Sequence, residues 1–257
     1  MQPIHLVLSG GGARGVAHLG VVKALQEQGV VIEAISGVSS GALFGAFLAG
    51  GLEPEEVLAL LQEHNLLRLL RPAASDGILS MHKLEETLWE LLPVHEFEKL
   101  NYPLIVSCSD LTQGHTDYFS KGDMIKPLLA SCAIPVLFPP VEIEGDQLID
   151  GGLINNLPVE PFLDEDVTLV GVHVNPWQEG VLADSILKVM ERAIALSAFQ
   201  NVRSRKRFCD VYIEPQGLVS HAVFETSRLA ELFEIGYEAG MQKWPSGGAV
   251  LPHSSAR

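Results

Sequence analysis

Val30-Val31-Ile32-Glu33-Ala34-Ile35-Ser36-Gly37-Val38-Ser39-Ser40-Gly41-Ala42-Leu43-Phe44-Gly45-Ala46-Phe47-Leu48-Ala49 is the stretch on which the fold turns. Its β-branched opening, Val30 to Ile35, reads as a buried strand, whereas Ser40 to Ala49 has helical spacing and runs into a Gly50-Gly51 stop. Ala34 to Leu52 holds no charged residue and approaches the length of a membrane-spanning helix. Five glycines and three serines within that span argue instead for a strand, a sharp turn at Gly37 to Gly41 and a helix. Ser39 thus lies in a G-x-S-x-G sequence between strand and helix, the setting in which the pattern becomes a nucleophile elbow. Glycines two residues to either side remove Cβ atoms that would collide with neighbouring backbone, and the positive end of the helix favours a developing negative charge. By itself the pattern is equally that of an ordinary turn.

Upstream, Leu6 to Leu8 reads as a short strand, followed by the loop Ser9 to Gly15 and a helix to about Gln28 that Gly29 ends. Downstream, helices are expected over Pro54 to His64, Met81 to Leu92, Ala183 to Arg205 and Thr226 to Met241. Ile186, Val189, Met190, Ala193 and Ile194 form one face of the third of these. Strands are expected over Leu104 to Cys108, His115 to Ser120, Val167 to Val174 and Val211 to Ile213, with a hairpin of Val141 to Ile143 and Gln147 to Ile149. Strands alternating with helices predict a three-layer α/β/α sandwich around a largely parallel central sheet.

A chain of 257 residues, 47% of them hydrophobic, can bury one full core. We expect a single domain over residues 1–244 and a loose tail over 245–257. The net charge of -15 argues against nucleic-acid binding and against attraction to an anionic lipid surface, so any membrane contact would be transient and apolar. Cys108, Cys132 and Cys209 are isolated, which suggests neither disulfides nor zinc and fits a reducing, cytoplasmic setting. Met1 to His5 lacks the cationic stretch of a secretory signal. Asp110, His115 and Asp117 are close in sequence but are not expected to converge, so neither a metal, a cofactor nor calcium dependence is expected. The sequence says little about oligomeric state.

Two further segments carry candidate chemistry. Ser9-Gly10-Gly11-Gly12-Ala13-Arg14-Gly15 opens a helix, and its free N–H groups could face an oxyanion or the pyrophosphate of a dinucleotide. The dinucleotide reading needs an acidic residue at the end of the second strand; Glu33 lies inside that strand, which weakens it. Arg14 either binds phosphate or braces the loop. Leu148-Ile149-Asp150-Gly151-Gly152 sets a carboxylate at a strand end before two glycines, a common turn; held against a serine hydroxyl in a water-poor site, that carboxylate can act as base.

A G-G-G-x-R-G loop, a G-x-S-x-G elbow and a D-G-G turn in that order resemble the patatin-like phospholipases, most of all compact bacterial members. The segment Ala130 to Pro140 is similar to the one that family carries before its Asp motif, and the likeness runs from Leu6 to about Pro158. The resemblance implies hydrolysis of fatty-acyl esters by a Ser-Asp dyad without His. Carried over by position, Ser39 attacks, Asp150 accepts the proton and Gly10, Gly11 and Gly12 form the oxyanion loop, supported by Arg14, Gly15, Gly37, Gly41, Gly151 and Gly152.

Two rival readings stand beside this one, and one segment is left open. A Ser-His-Asp esterase or thioesterase would recruit His173, His221 or His253. A non-catalytic protein could keep the fold to hold acyl chains or a regulatory partner. His64 to Arg71, with its leucines and two cations, reads as either a lipid-facing lid at Leu66 to Leu70 or plain core packing.

Overall fold

A computed structural model describes residues 2–64, 66–69 and 77–245. Residues 71–76, His253 and all of the expected tail beyond Pro245 lie outside the described residues. The chain begins with β1 (Gln2–Leu8), α1 (Val16–Glu27), β2 (Val30–Val38) and α2 (Ser40–Ala49). Three helices follow, α3 (Pro54–His64), the single turn α4 (Leu66–Leu69) and α5 (Gly77–Leu91). Next come β3 (Leu104–Asp110), β4 (Thr116–Phe119), α6 (Ile125–Ser131), β5 (Val141–Ile143) and β6 (Asp146–Asp150). The last part is β7 (Thr168–Val172), α7 (Ile186–Arg205), β8 (Val211–Ile213) and α8 (Leu229–Lys243).

The eight strands form one sheet in the order β5-β6-β3-β2-β1-β7-β8, with β4 paired to β3 off this path. Strands β3, β2, β1, β7 and β8 run parallel, and β4 and β6 lie antiparallel to β3. Alternation along β1 distributes its side chains to two apolar layers. Ile4, Leu6 and Leu8 pack with Leu19, Phe44 and Leu232 of α1, α2 and α8. Val7 joins Leu169, Phe162 and Val202 of α7 on the opposite face. The α/β/α sandwich expected from the pattern is the fold observed. The uncharged span Ala34 to Leu52 is the buried end of β2, a turn and α2, and no helix among the described residues is long and apolar enough to cross a membrane.

Three elements differ from expectation. Leu66 and Leu67 are buried in the main core, so this part of the suspected lid is core packing; the Leu69 and Leu70 side chains lie outside the description. The face of α7 expected to be covered is open over its first half, with Ile186 92% and Val189 54% exposed. Among its described side chains, the buried ones are Ala198 and Val202 of the later turns. A 20-residue helix is about 30 Å long, so α7 outruns the sheet edge it covers. Helix α6 was not expected, because Pro127 and the short length hide its period.

Candidate active site

Ser39 stands between β2 and α2 with φ 52° and ψ -126°, a left-handed backbone that strains a residue with a Cβ. The turn holds because α2 is pressed against β1: a Cβ on Gly41 would strike the Leu8 carbonyl and lie 2.6 Å from Ser9 O. One on Gly37 would meet the Ala42 nitrogen at 2.7 Å, and one on Gly15 would strike Ser40. The Ser39 N–H donates to Ser131 Oγ at 2.7 Å, and the Ser131 hydroxyl donates to Ser107 O at 2.8 Å. The elbow is therefore pinned to β3 through a side chain 92 residues away.

Strand β3 brings Asp150 towards Ser39. Its residues Leu104 to Ser107 pair with β2, and Cys108 to Asp110 pair with β6, so β6 ends where β2 stops. Asp150 is the residue opposite Cys108. The next residue must be small: a Cβ on Gly151 would lie 2.5 Å from Ser107 O and 2.8 Å from Val38 Cγ2. In this position the Asp150 carboxylate lies within electrostatic reach of the Ser39 hydroxyl and accepts a hydrogen bond, at 2.8 Å, from the Gly152 N–H. Burial pushes the Asp150 carboxyl up to about 6, against the opposing effect of those two groups. Ser39 is 7% and Asp150 9% exposed, so the pair sits in a nearly dry environment. Cys132 also meets the Ser39 hydroxyl, and burial raises its thiol well beyond the usual range, which keeps it protonated and inert as a nucleophile.

The glycine loop lies against this pair. A Cβ on Gly10 would be 3.0 Å from the Ser39 Cβ. The Gly10 N–H is not free, since it donates to Asn156 Oδ1 at 3.0 Å, and Asn175 Nδ2 donates to Gly10 O at 2.6 Å. Neither the Gly11 nor the Gly12 N–H has a hydrogen-bond partner among the described residues. Those two are the open donors of the loop, and Gly10 is its anchor. His18, neutral because burial lowers it to about 4, donates from Nε2 to Ser9 O at 2.8 Å. Arg14 donates through Nε (2.8 Å) and Nη2 to the His221 carbonyl, so it braces the segment over the loop; no phosphate is needed to explain it. Val223 of that segment accepts from the Ala13 N–H at 2.7 Å and closes over Gly12.

Asn156 and Asn201 were not singled out from the sequence. The Asn156 N–H donates to Asn201 Oδ1 (2.8 Å), and Asn201 Nδ2 donates to Gly152 O (3.2 Å), so α7, the Asp150 turn and the glycine loop form one braced unit. Nothing in an isolated Asn marks such a role; its only signal is its position six residues after Asp150. Of the histidines named for the rival triad, the structure describes His173 and His221, and each is paired with a glutamate. His173 Nδ1 is 2.9 Å from Glu214 Oε1, and His221 Nε2 is 3.2 Å from Glu231 Oε1. Glu33 is an exposed residue inside β2, away from a ribose-binding strand end. Asp110, His115 and Asp117, which on a strand and its loop need not converge, do so: a ligand atom from each lies within 4.8 Å of the others. The turn between β3 and β4 folds Asp110 back over that strand pair.

The family model of patatin-like phospholipases matches residues 6–163. An uncharacterized NTE family protein of Mycobacterium tuberculosis is 35% identical over 71% of this chain and 52% of its own length. Lysophospholipase NTE1 of Kluyveromyces lactis is 25% identical over 93% of this chain and 19% of that protein. The chain thus spans about half the length of the mycobacterial relative, 52%, and less of the yeast one. Among solved structures, VipD from Legionella pneumophila shares the fold with a TM-score of 0.56 at 17% identity, over 94% of this chain and 66% of that one.

Proposed function

The chain belongs to the patatin-like phospholipase family, and from that premise we propose that it is a serine acyl hydrolase acting on fatty-acyl esters of phospholipid or lysophospholipid. The observation that supports this reading is the strained Ser39 elbow with the buried Asp150 carboxylate in electrostatic reach of its hydroxyl, next to a glycine loop that touches Ser39 through Gly10 and leaves the Gly11 and Gly12 N–H groups open. As Ser39 Oγ adds to the ester carbonyl carbon, its proton passes to the Asp150 carboxylate. The carbonyl oxygen becomes an oxyanion that accepts hydrogen bonds from Gly11 and Gly12, donors already in place. Collapse breaks the ester C–O bond, and the leaving alcohol takes the proton from Asp150. The acyl-serine is then cleaved by water, with Asp150 again taking the proton and Ser39 regaining it.

The lysophospholipase name of the yeast relative favours lysophospholipid as the first substrate to try. Cys108, Cys132 and Cys209 are buried and form no disulfide, which fits a reducing, cytoplasmic setting from which the protein would meet lipid by apolar contact. The test compares wild type, Ser39→Ala, Asp150→Asn and His173→Ala on phospholipid, lysophospholipid, an acyl thioester and a short soluble ester, together with fluorophosphonate labelling. Both dyad variants are expected to lose about a thousandfold or more in kcat, and Ser39→Ala to lose the label. Labelling that survives Ser39→Ala, or loss of turnover in His173→Ala with unchanged folding, would overturn the dyad.

A further inference from the structure

We infer that the turn between β3 and β4 is a binding site for a divalent cation of the zinc class, held by Asp110, His115 and Asp117. The hairpin register pairs Cys108 with Asp117 and Ser109 with Thr116, and the Asp110 N–H donates to His115 O at 2.9 Å. The three side chains therefore leave two neighbouring strands within one turn of each other. One carboxylate oxygen from each aspartate and one imidazole nitrogen lie within 4.8 Å of one another. His115 Nε2 is 2.9 Å from Asp117 Oδ1.

The independent sign of a ligand is on Asp110. This residue is 2% exposed, and its Oδ1 accepts the N–H groups of Thr112 (2.6 Å) and Gln113 (2.9 Å), which fixes the carboxylate. Its Oδ2 is buried and has no hydrogen-bond partner among the described residues. A carboxylate oxygen left in that state is destabilising unless a cation or another donor faces it. His115 and Asp117 are 56% and 29% exposed at their side chains, so an ion can enter from solvent on the side opposite Asp110.

The donor set decides the class of ion. Two carboxylates and one imidazole suit zinc and its borderline neighbours, whereas calcium takes six to eight oxygens and gains little from a ring nitrogen. Zinc ligands at about 2.0–2.2 Å stand roughly 3.3 Å apart, so closing the cluster requires side-chain shifts of about 1.5 Å at most. The Thr112 and Gln113 N–H groups supply the outer hydrogen bonds that orient the Asp110 ligand. Bound there, the ion would tie the β3–β4 turn to the strand whose Cys108 lies opposite both Asp117 and Asp150. The site takes no part in the acyl-transfer chemistry proposed above and stands or falls separately.

The test is calorimetric titration of the full chain, stripped with chelator and dialysed, with zinc chloride, alongside His115→Ala and Asp117→Asn. Both substitutions sit at exposed or half-exposed hairpin positions, and circular dichroism checks that the fold is kept. Wild type is expected to bind one zinc ion per chain at micromolar or lower concentration, and each variant to bind at least about tenfold more weakly. Zinc should raise the melting temperature of wild type and not of the variants. Equal zinc affinity in wild type and variants, or no saturable binding in wild type, overturns the site. Calcium binding as tight as zinc binding overturns the assigned ion class.

Discussion

Asp150 carries opposite consequences for activity and for stability. Its carboxyl sits at about 6, above the 3.8 of an unperturbed aspartate, because the fold strips it of water. As a base it must be ionised, so kcat/KM should fall about tenfold per pH unit as pH drops below about 6. For stability the sign is reversed. The folded state holds this proton more tightly than the unfolded chain, a contribution complete below about 3.8 and lost as pH rises through about 6. Asp150→Asn should therefore raise the melting temperature near pH 8, by up to about 3 kcal/mol in stability, and bring no gain near pH 4. An unchanged difference between the two pH values in thermal melts would refute the burial account. Asn156 touches no reacting atom and acts through the glycine loop. Asn156→Ala leaves the Gly10 N–H without its partner, and kcat should fall roughly tenfold to a hundredfold with KM little changed. Ser39 and Asp150 were legible in the sequence because each is flanked by glycines demanded by close backbone approach. Asn156, Asn201 and Ser131 were not, since their contacts span from 24 to 146 residues and leave no local mark.

Local period was a good guide wherever one face of an element meets a single neighbour, and it failed where the neighbour ends. The bounds of α2 and α3 match the periodic reading because each packs along its whole length. The first half of α7 has the same kind of apolar spacing and yet faces solvent, since a helix period says which residues align and not what lies opposite them. Leu66-Leu67 shows the converse. A leucine-rich run holding two cations read as either a lipid-facing lid or plain core packing, and Leu66 and Leu67 are buried, at 0% and 3% exposure. Leu67→Asp should accordingly destabilise the fold by at least about 3 kcal/mol, through an unpaired charge in an apolar core. Activity on a soluble ester and on aggregated lipid should then fall together as the folded fraction falls. A selective loss on aggregated lipid at an unchanged melting temperature would restore the lid reading.

At the scale of the whole molecule, alternation of strands and helices was enough to predict the layered sandwich, but not how the strands that lead to Ser39 and Asp150 meet. That depends on β3, whose two halves pair with β2 and β6 in turn, and no single segment records such a shared register. Net charge is a property of the same scale, and 17 basic against 32 acidic residues should govern which lipid surface the enzyme approaches. An anionic bilayer repels the chain over about 30 Å at 0.01 M salt and over about 8 Å at 0.15 M. Hydrolysis of one lysophospholipid should thus be faster in zwitterionic than in anionic vesicles at low salt, and the ratio should approach unity as salt rises. The opposing influence is local: Arg203, Lys206 and Arg207 are exposed near the end of α7, whose Asn201 holds the Asp150 turn. If that basic run faces the bilayer, anionic vesicles would be preferred instead, and Arg203→Gln with Arg207→Gln would abolish the preference. The sign of the salt dependence therefore reports whether the field of the whole chain or the charge beside the active site orients the enzyme on lipid.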